Sequence, residues 1–190
     1  PTGGDPSQLA WQGDTLVVDL GDGRVQPWSA GRGAPLGDPY PVSTEAVARF
    51  VLAPNGRSLA VTGRRARVLN TEDGAVVAEL DAQWGGVVTA AWTPDGLHLA
   101  TAGGDGTVVL WETTAWRVGS LIEGAHGRQL AFSADGERLL SASWDGGVVA
   151  SRRDGVVVER LAFDGLLASA AWSQAGIAMV DSAGNLSVWR

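Results

Sequence analysis

Catalysis and metal binding at neutral pH draw on a short list of side chains, and this 190-residue chain holds few of them. It has two histidines, His98 and His126, and no cysteine, which removes disulfides and thiolate metal sites. Neither histidine has a second histidine or a carboxylate at metal-ligand spacing, so no zinc or iron site is expected. No Gly-x-Ser-x-Gly turn exposes a nucleophile. Gly21-Asp22-Gly23 and Gly103-Gly104-Asp105-Gly106 lie between apolar runs, which makes them hairpin turns rather than phosphate loops. Asp14, Asp95 and Asp135 recur in phase and read as turn residues, not as an acid/base pair. The expectation is a protein with no catalytic residue, no cofactor and no metal.

Side chains suited to recognition are better represented. Trp84, between Gln83 and Gly85-Gly86, and Trp144, in Trp144-Asp145-Gly146-Gly147, fall in predicted loops, as do Arg64 and Arg65. Tryptophan and arginine often dominate the energetics of protein interfaces, so these four form the candidate contact set for a protein partner. The competing reading packs both tryptophans between neighbouring repeat units. A net charge of −7 disfavours nucleic acid, whose binding depends on a basic surface. No apolar run approaches the roughly 18 residues of a membrane span, and no signal peptide is visible, so no membrane partner and a cytoplasmic location are expected. Asn185-Leu186-Ser187 fits a glycosylation sequon, read here as chance. Lysine is absent while Ala, Gly and Val abound, the codon signature of a GC-rich bacterial genome.

The frame that must position these residues is a repeat. Trp92, Phe132 and Trp172 stand 40 residues apart (132 − 92 and 172 − 132). Leu52 falls on the same beat, and Trp11 lies one residue off it. A turn follows each, as in Thr93-Pro94-Asp95-Gly96 and Ser133-Ala134-Asp135-Gly136. In the third unit Val87 to Trp92, Leu97 to Ala102, Thr107 to Trp111 and Arg117 to Ile122 read as four strands joined by tight turns. A period near 40 with four strands describes one blade of a propeller. Trp11, Trp92 and Trp172 are expected in the core, Trp116 is open, and the Pro-rich stretch Pro27 to Pro41 predicts a short or irregular outer strand.

The run Ala91-Trp92-Thr93-Pro94-Asp95-Gly96, followed by Leu99 to Glu112, resembles a WD repeat, with Trp111-Glu112 where that family has Trp-Asp. The resemblance implies an all-β WD-repeat β-propeller of five blade-like units, near 7–46, 47–86, 87–126, 127–166 and 167–190, the last lacking its outer strand. It also implies a hydrogen-bonded network in each blade. Asp105, Thr101 and Trp111 match it in the third unit, with Gln83 in place of a histidine. Asp145 and Ser141 match in the fourth, where Ser151 replaces the tryptophan and His126 falls about three residues late. Asp22 and Trp28 match in the first unit, and Trp189 in the fifth.

The chain opens at Pro1, and its last unit stops at three strands. The expectation is part of a larger propeller completed by a companion segment or chain, with a self-closing five-bladed ring as the alternative. The function the resemblance implies is a non-catalytic protein-interaction scaffold, attached in bacterial relatives to a larger signalling protein with an NTPase or kinase domain. A propeller enzyme is the competing class.

Overall fold

The computed structural model describes residues 8–42, 49–125, 127–143, 146–162, 166–173 and 176–189. The chain divides into two compact units, Pro1–Asp81 and Ala82–Arg190. Every sheet among the described residues is an antiparallel meander.

In the first unit, β1 (Leu9–Gln12), β2 (Thr15–Asp19) and β3 (Arg24–Ser29) pair in order. The outer edge of β3 is shared by two two-residue strands, β4 (Ala34–Pro35) and β5 (Tyr40–Pro41). Proline has no amide hydrogen for a ladder, so this proline-rich segment breaks into pieces. The second sheet is β6 (Phe50–Leu52), β7 (Ser58–Val61), β8 (Ala66–Asn70) and β9 (Val76–Leu80). Between the two sheets, Val17 and Val25 are buried with Phe50, Leu52 and Leu59.

The second unit holds two four-stranded sheets and one three-stranded sheet. They are β10 (Val87–Trp92), β11 (His98–Gly103), β12 (Thr107–Glu112) and β13 (Arg117–Glu123), and then β14 (Gln129–Phe132), β15 (Arg138–Ala142), β16 (Gly147–Arg152) and β17 (Val157–Ala162). β18 (Leu167–Ser173), β19 (Gly176–Asp181) and β20 (Leu186–Trp189) complete the unit. Ala100, Ala102, Val108 and Leu110 of one sheet pack on Leu130 and Leu139 of the next, and Leu140, Ala142 and Val148 pack on Leu167 and Ile177. Each sheet thus covers its neighbour, because a single four-stranded meander cannot bury both of its apolar faces.

The turn chemistry explains why the meanders form where they do. The Thr93 hydroxyl donates to Asp95 Oδ1 and accepts the His98 amide (3.0 Å); Ser133, Asp135 and Arg138 repeat the arrangement. Gly96 and Gly136 both close these turns at φ +72°, a conformation that favours glycine. The outer strands β9, β13 and β17 each carry one unpaired residue against their partner, at 77, 119 and 158. Such bulges bend an outer strand and discourage edge-to-edge pairing.

The expectation of core tryptophans is corrected. Trp11 is 63% exposed, not buried, although its register position opposite Leu16 is the one Phe132 occupies opposite Leu139. Within the first unit the second sheet packs against the other face, at Ala10, Val17 and Val25, so the correct phase brings no burial. Trp92 and Trp172 are half-buried. The Trp92 ring meets Trp116 edge-on at 6.0 Å and 80°, and Trp172 Nε1 donates to the Ala131 carbonyl (2.9 Å). His98, at the start of β11, where a histidine is ordinarily solvated, is half-buried, with Nδ1 buried.

Leu139 is fully buried where the two four-stranded sheets of the second unit meet. Leu139→Ala is expected to lower unfolding free energy by about 2–5 kcal/mol in urea titrations, the range for cavities left by buried leucines.

Candidate interaction site

A dense polar construction lies at one end of the third sheet, where the segment entering β10 meets the β11–β12 turn. Trp111 Nε1 donates to Thr101 Oγ1 (2.9 Å), and the Thr101 hydroxyl donates to Gln83 Oε1 (2.7 Å). Gln83 Nε2 in turn donates to the carbonyls of Thr101 (3.0 Å) and Thr107 (2.9 Å). The Thr107 hydroxyl donates to Asp105 Oδ1 (2.7 Å), while Asp105 Oδ2 accepts the Trp84 amide (2.8 Å). One amide side chain therefore ties a buried strand pair to a surface turn. Gln83 can do this because its carboxamide both accepts and donates, the property a neutral imidazole also has.

The same end is closed by glycines. Gly104 donates its amide to the Gly86 carbonyl (2.9 Å), and a Cβ on Gly104 would fall 2.8 Å from the Gly85 carbonyl oxygen. Two backbones approach here at a distance that excludes a side chain. Gly85 and Gly86 adopt φ of +78° and +86°. The result is a braced loop whose one large side chain, Trp84, points to solvent at 85% exposure.

Electrostatics favour an ionised Asp105. Partial burial pushes its carboxyl up, but the Thr107 hydroxyl and the Trp84 and Thr107 amides together hold it below the ordinary aspartate value of 3.8. Thr93 does the same for Asp95, and Ser133 for Asp135.

The remaining sequence candidates are distributed more widely. Ser141 is buried and donates to the Ala125 carbonyl (2.7 Å), and Ser151 is buried as well. Gly127 passes so close that a Cβ there would fall 2.4 Å from Ser141 Oγ. Asp145, Trp144 and His126 lie outside the described residues. Asp22 accepts the Arg24 guanidinium at 2.9 and 2.6 Å within its own turn, while Trp28 is half-buried in β3. Trp189 lies in β20, at the outer edge of a three-stranded sheet. Arg64 and Arg65 are exposed in the first unit, with Arg65 3.9 Å from Asp81, while Trp84 belongs to the second unit. Thr107, which holds Asp105 and meets Gln83, escaped the sequence reading. The available signal was its place two residues after an aspartate in a tight turn, where a side-chain oxygen receives that amide.

Among the described residues no group of three His, Cys, Asp or Glu could hold a metal ion, and no helix is long and apolar enough to cross a membrane. An all-β chain of antiparallel meanders, packed on one another within each unit, with a polar chain bracing one end of the third sheet, defines a class of repeat protein. The family model described as "WD domain, G-beta repeat" matches residues 74–112 and 123–149, which contain Thr101, Asp105, Trp111 and Ser141. These two stretches, 39 and 27 residues long (112 − 74 + 1 and 149 − 123 + 1), are similar to WD repeats and support a relation to that family. Proteins built from these repeats generally act as protein-interaction scaffolds.

Two outcomes follow for the braced end. Thr101→Val strands a buried indole N–H and a carboxamide oxygen, and is expected to cost about 2–3 kcal/mol in denaturant melts. Asp105→Ala, at a more exposed position, is expected to cost about 1 kcal/mol. Equal or negligible losses would contradict the chain of contacts. The aspartates also set the response to acid. Their folded values lie below the unfolded value of 3.8, so their stabilisation is complete above it and is lost as pH falls through the lower folded values. Melting temperature is expected to hold from about pH 8 to about pH 5 and to drop steeply below about pH 4. Asp105→Asn is expected to flatten that drop.

Proposed function

We propose that this chain is a non-catalytic platform for protein partners, and that Trp84 is the centre of its contact surface. The observation that carries the reading is the combination at residue 84. A tryptophan is held almost wholly in solvent, yet its backbone is fixed by Asp105 and by the Gly85–Gly104 approach. Exposed aromatic side chains on rigid loops lose little conformational freedom on binding, which is how hot spots gain affinity. Arg64 and Arg65, exposed in the first unit, form a second set of contacts by the same reasoning.

The setting we favour is a cytoplasmic bacterial signalling protein in which these repeats sense a partner or restrain a catalytic domain. That part rests on the resemblance to WD-repeat proteins so arranged, and on a composition without lysine. The residue inventory supports the non-catalytic reading, since it holds two histidines that fall out of phase with the repeat.

Proteins retained by the immobilised native chain from its source lysate are to be compared with those retained by Trp84→Ala. Loss of at least 2 kcal/mol in affinity, roughly 30-fold, for a discrete partner at unchanged melting temperature is the expected result. A partner set indifferent to Trp84→Ala overturns the assignment of this surface.

A further inference from the structure

Several carboxylates of this chain stand opposite an arginine. Asp22 meets Arg24 at 2.6 Å, Asp154 meets Arg152 at 3.2 Å, and Asp95 meets Arg153 at 3.6 Å. Asp105 differs. It is exposed, yet no arginine among the described residues pairs with it. Desolvation by its neighbours pushes the carboxyl up, but the Thr107 hydroxyl and the Trp84 and Thr107 amides hold it below 3.8, so it is ionised at neutral pH.

Its hydrogen bonds are unevenly shared. Oδ1 accepts both the Thr107 amide (3.0 Å) and the Thr107 hydroxyl (2.7 Å). Among the described residues Oδ2 accepts the Trp84 amide alone (2.8 Å). A carboxylate oxygen has two acceptor positions, so Oδ2 has one left to offer. The indole is carried on the same residue as that amide and is 85% exposed. Ring and carboxylate therefore belong to one small surface, contained within the second unit and fixed by the Gly85–Gly104 approach.

We infer that Trp84 and Asp105 together receive a cationic side chain, an arginine or lysine of a protein partner, with its charge at Asp105 Oδ2 and its guanidinium plane or alkyl stem against the indole. The inference rests on the reading of Trp84 as a contact centre and names the chemistry that contact takes. A tryptophan face attracts cations through its quadrupole, and the neighbouring carboxylate adds a charge-assisted hydrogen bond. Either group alone selects weakly: an exposed ion pair contributes little, and a lone indole accepts any apolar group. Held side by side they discriminate. Arginine suits the pair better than lysine, because its planar guanidinium can stack and donate at once. The net charge of −7 draws a basic segment toward the chain.

The test uses end-blocked peptides alternating glycine with one variable residue, titrated into the native chain. Nuclear magnetic resonance follows the Trp84 indole N–H, identified by its absence from Trp84→Leu, and the Gly85 amide. Arginine peptides are expected to shift both signals saturably, lysine peptides to bind more weakly, and uncharged citrulline peptides to leave both unmoved. Asp105→Asn, and Trp84→Leu read at Gly85, are each expected to weaken arginine-peptide binding about two- to fivefold, the range for exposed cation–π and ion-pair contacts. Asp154→Asn removes the same charge outside this loop and is expected to bind like the native chain. Unchanged far-ultraviolet circular dichroism confirms folding, and Trp84→Leu, at an exposed side chain, carries the test if Asp105→Asn is not folded. Citrulline peptides that bind equally, affinity unmoved by Trp84→Leu and Asp105→Asn, or an equal loss in Asp154→Asn overturns the inference. If a discrete partner from the lysate still depends on Trp84, the contact surface stands and only its preference for cations falls.

Discussion

A four-stranded antiparallel sheet of this size has two apolar faces and no means of covering either with its own chain. That constraint organises the molecule. The aliphatic residues alternate so that both faces of the middle strands are buried, and burial comes from the next sheet: Leu139 over Ala100 and Leu110, Ile177 over Leu140 and Val148. At about 25 cal/mol per Å² of apolar surface removed from water, such interfaces outweigh any hydrogen bond in the structure. Stability in this architecture is the sum of neighbour contacts, and a sheet without a neighbour on one side is weaker and stickier there.

Apolar packing sets the spacing of the sheets but leaves their ends free to fray. The chain Trp111–Thr101–Gln83–Thr107–Asp105 fixes one such end, because each buried donor and acceptor would be costly to leave unmade. Its last link is the Trp84 amide, so the brace that stabilises the third sheet also positions the exposed indole. Structure and recognition therefore share the same few atoms.

The repeat was legible because its signals are local. A 40-residue beat of large apolar residues, with Thr-x-Asp-Gly or Ser-x-Asp-Gly after it, reports strand, turn and strand without knowledge of the neighbours. Trp11 shows the limit. Its phase identifies the face it occupies, but burial depends on whether another sheet lies over that face, and periodicity carries no such information. Asp22 shows a second limit: a matching residue type in a matching turn satisfied itself with Arg24, two residues away, rather than with a distant tryptophan. Gln83 was placed in the position of a family histidine from its spacing. The reason it works there is two-way hydrogen bonding to Thr101 and Thr107, a three-dimensional contact that spacing along the chain does not carry. Thr107 was passed over because a threonine opening a β-strand looks like ordinary strand composition.

The central claim is that protection comes from neighbouring sheets. Hydrogen exchange read strand by strand in dilute solution tests it most directly. The account predicts the slowest exchange in β11, β12, β15 and β16, whose sheets have neighbours recorded on the faces they share, and the fastest in β1 and β20. Equal protection of β1, β20 and the middle strands would mean that each sheet holds itself together, and would contradict the account.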